Sequence, residues 1–273
     1  MENLARKFLF CCCFILVTFA CNLARAQEEE DQHGFSYDEN SPRGPAHWGK
    51  LKPEWCTCSH GRMQSPIDLP DAKVQVDPSL GKLHRHYKPS NATLINRGHD
   101  IMLRWVDDAG YIRINGTLYQ LKQCHWHSPT EHAINGKRYD LEAHLVHQSS
   151  DGKIAVIGIL YKIGRPDPFL SMLEHYIEAL ADTLEEEEVV GFVDPNQIKF
   201  GSKGYYRYIG SLTTPACTED VLWTIVDKVG TVSRHQVKLI RNAVHDGSKM
   251  NARPLQPINN RPILLYTLPV DED

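Results

Sequence analysis

From Ala92 onward, short apolar runs alternate with turn-forming residues along the chain. The runs fall at residues 93–95, 101–106, 111–114, 117–124, 141–147, 154–161 and 221–226. Between them lie Asp107-Asp108-Ala109-Gly110, Asn115-Gly116, Ile134-Asn135-Gly136-Lys137 and Asp151-Gly152, whose Gly, Asn and Asp residues favour tight turns. Asn115-Gly116 between two apolar runs predicts a two-residue hairpin, because both positions tolerate positive φ. The centre of the chain therefore reads as antiparallel strands. One stretch departs from that rhythm. Residues 168–188 place Phe169, Leu170, Leu173, Ile177, Leu180 and Leu184 at helical spacing behind Pro168, which predicts a helix closing in a solvated acidic run at 185–188. A second, shorter helix is predicted around 233–243. With no internal repeat and no dividing linker, the pattern predicts one mainly β (α+β) domain: a large, twisted, mostly antiparallel central sheet with a few peripheral helices.

The N-terminus follows another logic. Arg6 and Lys7 precede an apolar run at 8–21, and Ala24-Arg25-Ala26 places small residues at −3 and −1 of a cut before Gln27. That arrangement predicts a secretory signal peptide over 1–26, and the run is shorter than the ~20 apolar residues a membrane span needs. The remaining 27–273 form the single domain, with an acidic, then Pro/Gly-rich arm at 27–45 whose first part, 27–34, is expected to be disordered. This mature chain carries 27 basic against 33 acidic residues. Such a balance argues against a nucleic-acid partner, and no membrane contact is expected once the leader is gone. Four cysteines remain, Cys56, Cys58, Cys124 and Cys217; in an oxidising compartment they permit two bridges in three connectivities, or one bridge and spare thiols. Sequons at Asn91 and Asn115 are candidate glycosylation sites.

The chemistry concentrates in Gln123-Cys124-His125-Trp126-His127. Residues two apart in a strand share a face, so His125 and His127 point one way while Cys124 and Trp126 point the other. The run at 141–147 follows a turn and can return antiparallel, placing His144 opposite them, with Glu142 and Val146 on the same face. Three neutral imidazoles leave the fourth corner of a tetrahedral zinc for water, the pattern of a catalytic site. Zinc lowers the pKa of such a water from about 15.7 to about 7. Gln123 and Glu142 are placed to hold the outer nitrogens of His125 and His144.

These segments, with 61–68 (Gly-Arg-Met-Gln-Ser-Pro-Ile-Asp), Asn96-Arg97-Gly98-His99, Glu131-His132 and Gly210-Ser211-Leu212-Thr213-Thr214-Pro215, resemble the signatures of the α-carbonic anhydrases in order, and most those of the secreted plant type. The resemblance runs from about Phe35 to Leu268. It implies the α-carbonic anhydrase fold, a Zn²⁺ cofactor on His125, His127 and His144, and reversible hydration of carbon dioxide to bicarbonate and a proton by a zinc-bound hydroxide. Thr213 then resembles the residue that accepts a hydrogen bond from that hydroxide and donates its own proton to Glu131, while its backbone N–H, beside Thr214, holds a substrate oxygen. Val146, Val156, Leu212, Val221 and Trp223 match the apolar wall for carbon dioxide, His99 the proton shuttle, and Tyr37 and Tyr208 the solvent-network tyrosines. Cys58 and Cys217 match the family disulfide, which leaves Cys56 and Cys124 unpaired. Arg97 and Met102 stand where asparagines are common, and Cys124 where an aromatic is common.

The resemblance also admits a second class of function, a catalytically weak storage or carbohydrate-binding relative of the same fold. A zinc peptidase is disfavoured by the absence of an H-E-x-x-H helix. The substrate expected is a small molecule, the assembly a monomer or weak dimer, and the destination extracellular or cell wall, with the plastid stroma through the secretory route as the alternative.

Overall fold

The computed structural model describes residues 34–181, 183, 186–243 and 250–267. The leader, Leu184 and Glu185 lie outside them. Among the described residues, fifteen strands form in chain order: β1 Asp68–Leu69, β2 Val74–Val76, β3 His84–Tyr87, β4 Ser90–Asn96, β5 Ile101–Trp105, β6 Gly110–Ile114, β7 Thr117–His127, β8 Ala133–Ile134, β9 Leu141–Gln148, β10 Ile154–Ile163, β11 Glu187–Val193, β12 Tyr205–Ser211, β13 Glu219–Val226, β14 Gly230–Val232 and β15 Ile263–Tyr266. All but the short β1–β8 pair join one 13-stranded sheet with the main path β11-β4-β5-β7-β9-β10-β13-β12-β15-β2. Most neighbours are antiparallel; β10–β13, β10–β14 and β15–β2 are parallel. The hairpin at Asn115-Gly116 forms as its sequence dictates, with both residues at positive φ between Ile114 and Thr117.

The sheet has two unlike faces. Its back face is covered by the helices Pro168–Leu180 and Arg234–Ala243, whose apolar stripes join Ala92, Leu94, Cys124, Trp126 and Leu145 in the larger core. Its front face carries a smaller apolar cluster that includes Val146, Val156, Leu212, Val221 and Trp223. Strand β7 serves both faces through one irregularity. Tyr119 and Leu121 point into the back core, yet so do Cys124 and Trp126. The register against β9 shifts between Leu121 and Gln123, and this bulge, one residue long in effect, reverses the alternation. Gln123, His125 and His127 consequently face the front.

Two expectations are corrected. The long helix stops at Leu180 rather than continuing to 188, and Glu187 opens strand β11. Asp167 caps the helix by accepting from the Leu170 N–H at 2.9 Å, and the buried stripe is complete at Leu180. The acidic run then contributes an edge strand against β4, where Glu187 accepts from the Arg104 guanidinium at 2.7 and 2.9 Å. Cys56, expected to be unpaired, is disulfide-bonded. The Cys58–Cys217 bridge forms, and Cys124 is a free, buried thiol, pushed well above the ordinary thiol range by burial and then by Asp167. Among the described residues, no helix is long and apolar enough to cross a membrane.

Candidate metal centre

The bulge in β7 and the antiparallel return of β9 place His125 directly opposite His144. Ring centroids lie 5.0 Å apart for His125 and His127, 5.2 Å for His125 and His144, and 4.6 Å for His127 and His144. Each offers one nitrogen, and the three nitrogens lie within 4.8 Å of one another. The opposite nitrogens are tied. His125 Nδ1 contacts Gln123 Oε1 at 2.8 Å, His127 Nδ1 the carbonyl of Asn251 at 2.6 Å, and His144 Nε2 Glu142 Oε1 at 2.8 Å. All three acceptors are oxygens, so the tied nitrogens carry the protons. The lone pairs are left on His125 Nε2, His127 Nε2 and His144 Nδ1, which face one another.

This donor set suits a metal. His127 Nε2 is buried and makes no hydrogen bond among the described residues, a costly arrangement for a lone pair unless a cation accepts it. Burial holds His125 well below the usual imidazole range. Burial likewise lowers His144, against the opposing pull of Glu142. Both are thus neutral, as ligation requires. Glu131 stands beside the cluster with Oε2 3.6 Å from His127 Nε2 and 4.0 Å from His144 Nδ1. Its Oε1 accepts from the backbone N–H of Arg253 at 2.8 Å, while Oε2 has no donor among the described residues.

The apolar wall assembles across three strands. Val156 on β10 pairs with Val146 on β9 and Trp223 on β13, and the Trp223 ring lies 4.9 Å from that of His144. Thr213 and Thr214 sit, nearly buried, on the loop after β12, where Leu212 N–H donates to Thr218 and Cys217 N–H to Thr214. The Cys58–Cys217 bridge ties that loop to the segment at 57–60. His99 is 2% exposed, its ring 5.0 Å from that of Phe35. Tyr37 joins Phe35, Trp48 and Trp55 in the same aromatic cluster. Arg97 turns onto Asp100, donating from Nε at 2.8 Å. Asn115 is exposed at its hairpin tip, while Asn91 is half-buried and donates to Asp107.

Two participants had no sequence signal, and a third was matched without a role. Asn251 anchors His127 from a segment without strand or helix periodicity, and its side chain also donates to the carbonyls of His99 and Trp126. Arg253 positions Glu131 from the same segment. His132, within a matching segment, is the one to which no role was given. Its Nδ1–H donates to Glu142 Oε1 at 2.7 Å and its Nε2 accepts from the Tyr208 hydroxyl at 2.7 Å. Tyr208 also meets Ser65 Oγ at 2.8 Å, so its hydroxyl belongs to a buried chain behind His144 and not to the solvent side.

A model of the eukaryotic-type carbonic anhydrase family matches residues 43–267, and the chain belongs to that family. It is 53% identical over 253 residues to alpha carbonic anhydrase 7 of Arabidopsis thaliana, covering 93% of this chain and 92% of that one. Dioscorin DB3L of Dioscorea polystachya is 50% identical over 249 residues, covering 91% and 90%. Among solved structures, dioscorin complexed with ascorbate superposes with a TM-score of 0.84 at 49% identity, covering 87% of this chain and 99% of that one. The α-carbonic anhydrase of Thermovibrio ammonificans with the inhibitor sulfanilamide gives 0.77 at 34% identity, covering 84% and 98%.

Proposed function

We propose that the protein is a zinc-dependent carbonic anhydrase that hydrates carbon dioxide reversibly to bicarbonate and a proton. The observation that carries this reading is the set of three imidazoles whose outer nitrogens are fixed by Gln123, Asn251 and Glu142, leaving three lone pairs convergent. His125, His127 and His144 would hold the ion. Zinc, when bound, supplies the Lewis acidity that brings ionisation of a coordinated water near neutral pH.

The chain's own residues do the rest. Glu131, fixed by Arg253, presents Oε2 as acceptor for the Thr213 hydroxyl, which is then left to accept from the attacking oxygen and to aim it. Orientation of this kind lowers the barrier by entropy already spent in folding. The Thr213 backbone N–H, with Thr214 beside it, holds a substrate oxygen. Val146, Val156, Leu212, Val221 and Trp223 offer an apolar surface to a substrate without charge. His99 relays the released proton, and because Phe35 covers its ring, the relay opens past that aromatic. Residues 1–26 act as a secretory leader to an extracellular or cell-wall destination, and 27–273 form the mature domain. The sulfanilamide and ascorbate complexes of the two structural relatives support a small-molecule partner.

Zinc content and stopped-flow carbon dioxide hydration, measured on the mature protein, test the reading. Expected are close to one zinc per chain, and loss of activity on chelation and in His144→Ala. A metal-free preparation hydrating no faster than buffer refutes it. That outcome supports the second reading, a catalytically weak relative with a storage or carbohydrate-binding role, which the similarity to dioscorin keeps in view.

A further inference from the structure

We propose that Asn91 carries an N-linked glycan in the mature protein, and that its first sugar rests on the exposed ring of Phe192. Val106 and Val189 complete the apolar seat. The inference rests on the secretory route argued above and is independent of the metal chemistry.

Strand register carries it. Along β4, Ala92 and Leu94 enter the back core, so Asn91 and Thr93, the two recognition positions of the sequon, turn to the other face. On the adjacent edge strand β11, Phe192 pairs with Asn91 and Val189 with Thr93. Directly paired residues bring their Cβ atoms within about 5.5 Å. On the opposite flank, Val106 donates its backbone N–H to the Asn91 carbonyl at 3.0 Å. These neighbours are open to solvent: Phe192 is 75% exposed, Val189 73% and Val106 53%. The sequon therefore sits inside an apolar surface.

The size of that surface selects the occupant. The three side chains expose on the order of 300 Å², well short of the ~800 Å² per partner that a stable protein interface buries. One pyranose ring matches it. An N-acetylglucosamine has an apolar face of axial C–H groups that covers an aromatic ring while its hydroxyls stay in water, so no polar group is buried unpaired. The folded site accommodates the modified amide, which keeps one Nδ2 hydrogen. One Nδ2 hydrogen is engaged by Asp107 Oδ2 at 3.1 Å, and the other is the one to be replaced. In the transfer, Nδ2 attacks the anomeric carbon of a lipid-diphosphate-linked oligosaccharide supplied by the secretory machinery. The C–N bond forms, the C–O bond to diphosphate breaks, the lipid diphosphate leaves with the electron pair, and the amide loses one proton.

The test uses the full chain secreted from plant cells that make high-mannose glycans. Glycopeptide mass spectrometry reads occupancy, and an anilinonaphthalene dye reads exposed apolar surface. Asn91 is expected to be occupied. Trimming with endoglycosidase H leaves one sugar and is expected to leave dye fluorescence unchanged. Asn91→Gln raises it several-fold, Asn91→Gln/Phe192→Ser returns it to the wild-type level, and Asn115→Gln has no effect. An unmodified Asn91 beside a modified Asn115 overturns the proposal while leaving secretion intact. Two bare sequons overturn both. An occupied Asn91 whose Gln variant binds no more dye overturns the sugar seat. A wild-type chain found dimeric, and made monomeric by Phe192→Ser, overturns it in favour of a protein interface.

Discussion

Glu142→Gln replaces one oxygen by an amide nitrogen in a fully buried position, and its effect can be worked out from three hydrogen bonds. Glu142 Oε1 accepts from His144 Nε2–H at 2.8 Å and from His132 Nδ1–H at 2.7 Å, while Oε2 accepts from the His132 backbone N–H at 2.9 Å. Glutamine offers one oxygen and one NH₂. If the oxygen takes the Oε1 place, the NH₂ confronts a backbone donor. If the NH₂ takes that place, it confronts two ring donors, and relief requires His144 to move its proton to Nδ1. That nitrogen is the one facing His125 and His127, so a ligand is lost. Either arrangement weakens the support of a ligating histidine. Loss of such support lowers metal affinity by roughly 10–100-fold, or about 1.4–2.8 kcal/mol. Competition with a zinc chelator, on protein checked for native circular dichroism, measures it. A Glu142→Gln protein that holds zinc within about twofold of wild type would refute the assignment of tautomers on which the metal centre is built.

Other perturbations are equally specific. Gly158 lies opposite His144 in the ladder, and a Cβ there would sit 2.6 Å from Ile225 Cδ1 and 3.0 Å from Glu142 Oε1; Gly158→Ala is expected to destabilise by about 1–3 kcal/mol in urea unfolding and to release zinc more readily. Cys58→Ser opens a loop of sequence separation 159, expected to cost about 5 kcal/mol in the chain-entropy model; a melting temperature equal to that of the oxidised protein would contradict this. His147 is buried, accepts from the Tyr87 hydroxyl at 2.6 Å, and is pushed down to about 3 by burial. Its folded value lies below its unfolded one, so its contribution is present above about pH 6.5 and is lost as pH falls toward 3, a span of about 5 kcal/mol. In denaturant titrations from pH 7 to 4, His147→Gln should flatten the decline.

The convergence of the three histidines could be read from sequence because the information is local: two histidines at strand spacing, and a third one turn later with its own carboxylate two positions away. The paired strands around Asn115-Gly116 were legible for the same reason. Contacts closed over long separations were not. Asn251 holds His127 across 124 positions, and nothing in its own neighbourhood distinguishes it from a loop asparagine. Tyr208 matched a solvent-side role by resemblance, yet its hydroxyl is claimed by Ser65 and His132, a choice visible only once β12 lies beside the 65–66 segment. The first two residues of β11 were read as the end of the helix because Leu184 extends an apolar period that the back core no longer needs. The cover that Phe35 places over His99 depends on an arm with no periodicity at all.

The irregularity in β7 marks a residue that the strand can spare. Lys122 is exposed and adjoins the shift between Leu121 and Gln123, so many side chains should be accepted there. Deletion should be accepted too, because Leu121 and Gln123 pair with consecutive residues of β9, His147 and Val146. Without Lys122 the strand would alternate unbroken, His125 and His127 would keep the front face, and Cys124 and Trp126 would stay beneath the helices. The residue is surplus to the ladder, and the polar cavity depends on the count of paired positions rather than on the count of codons.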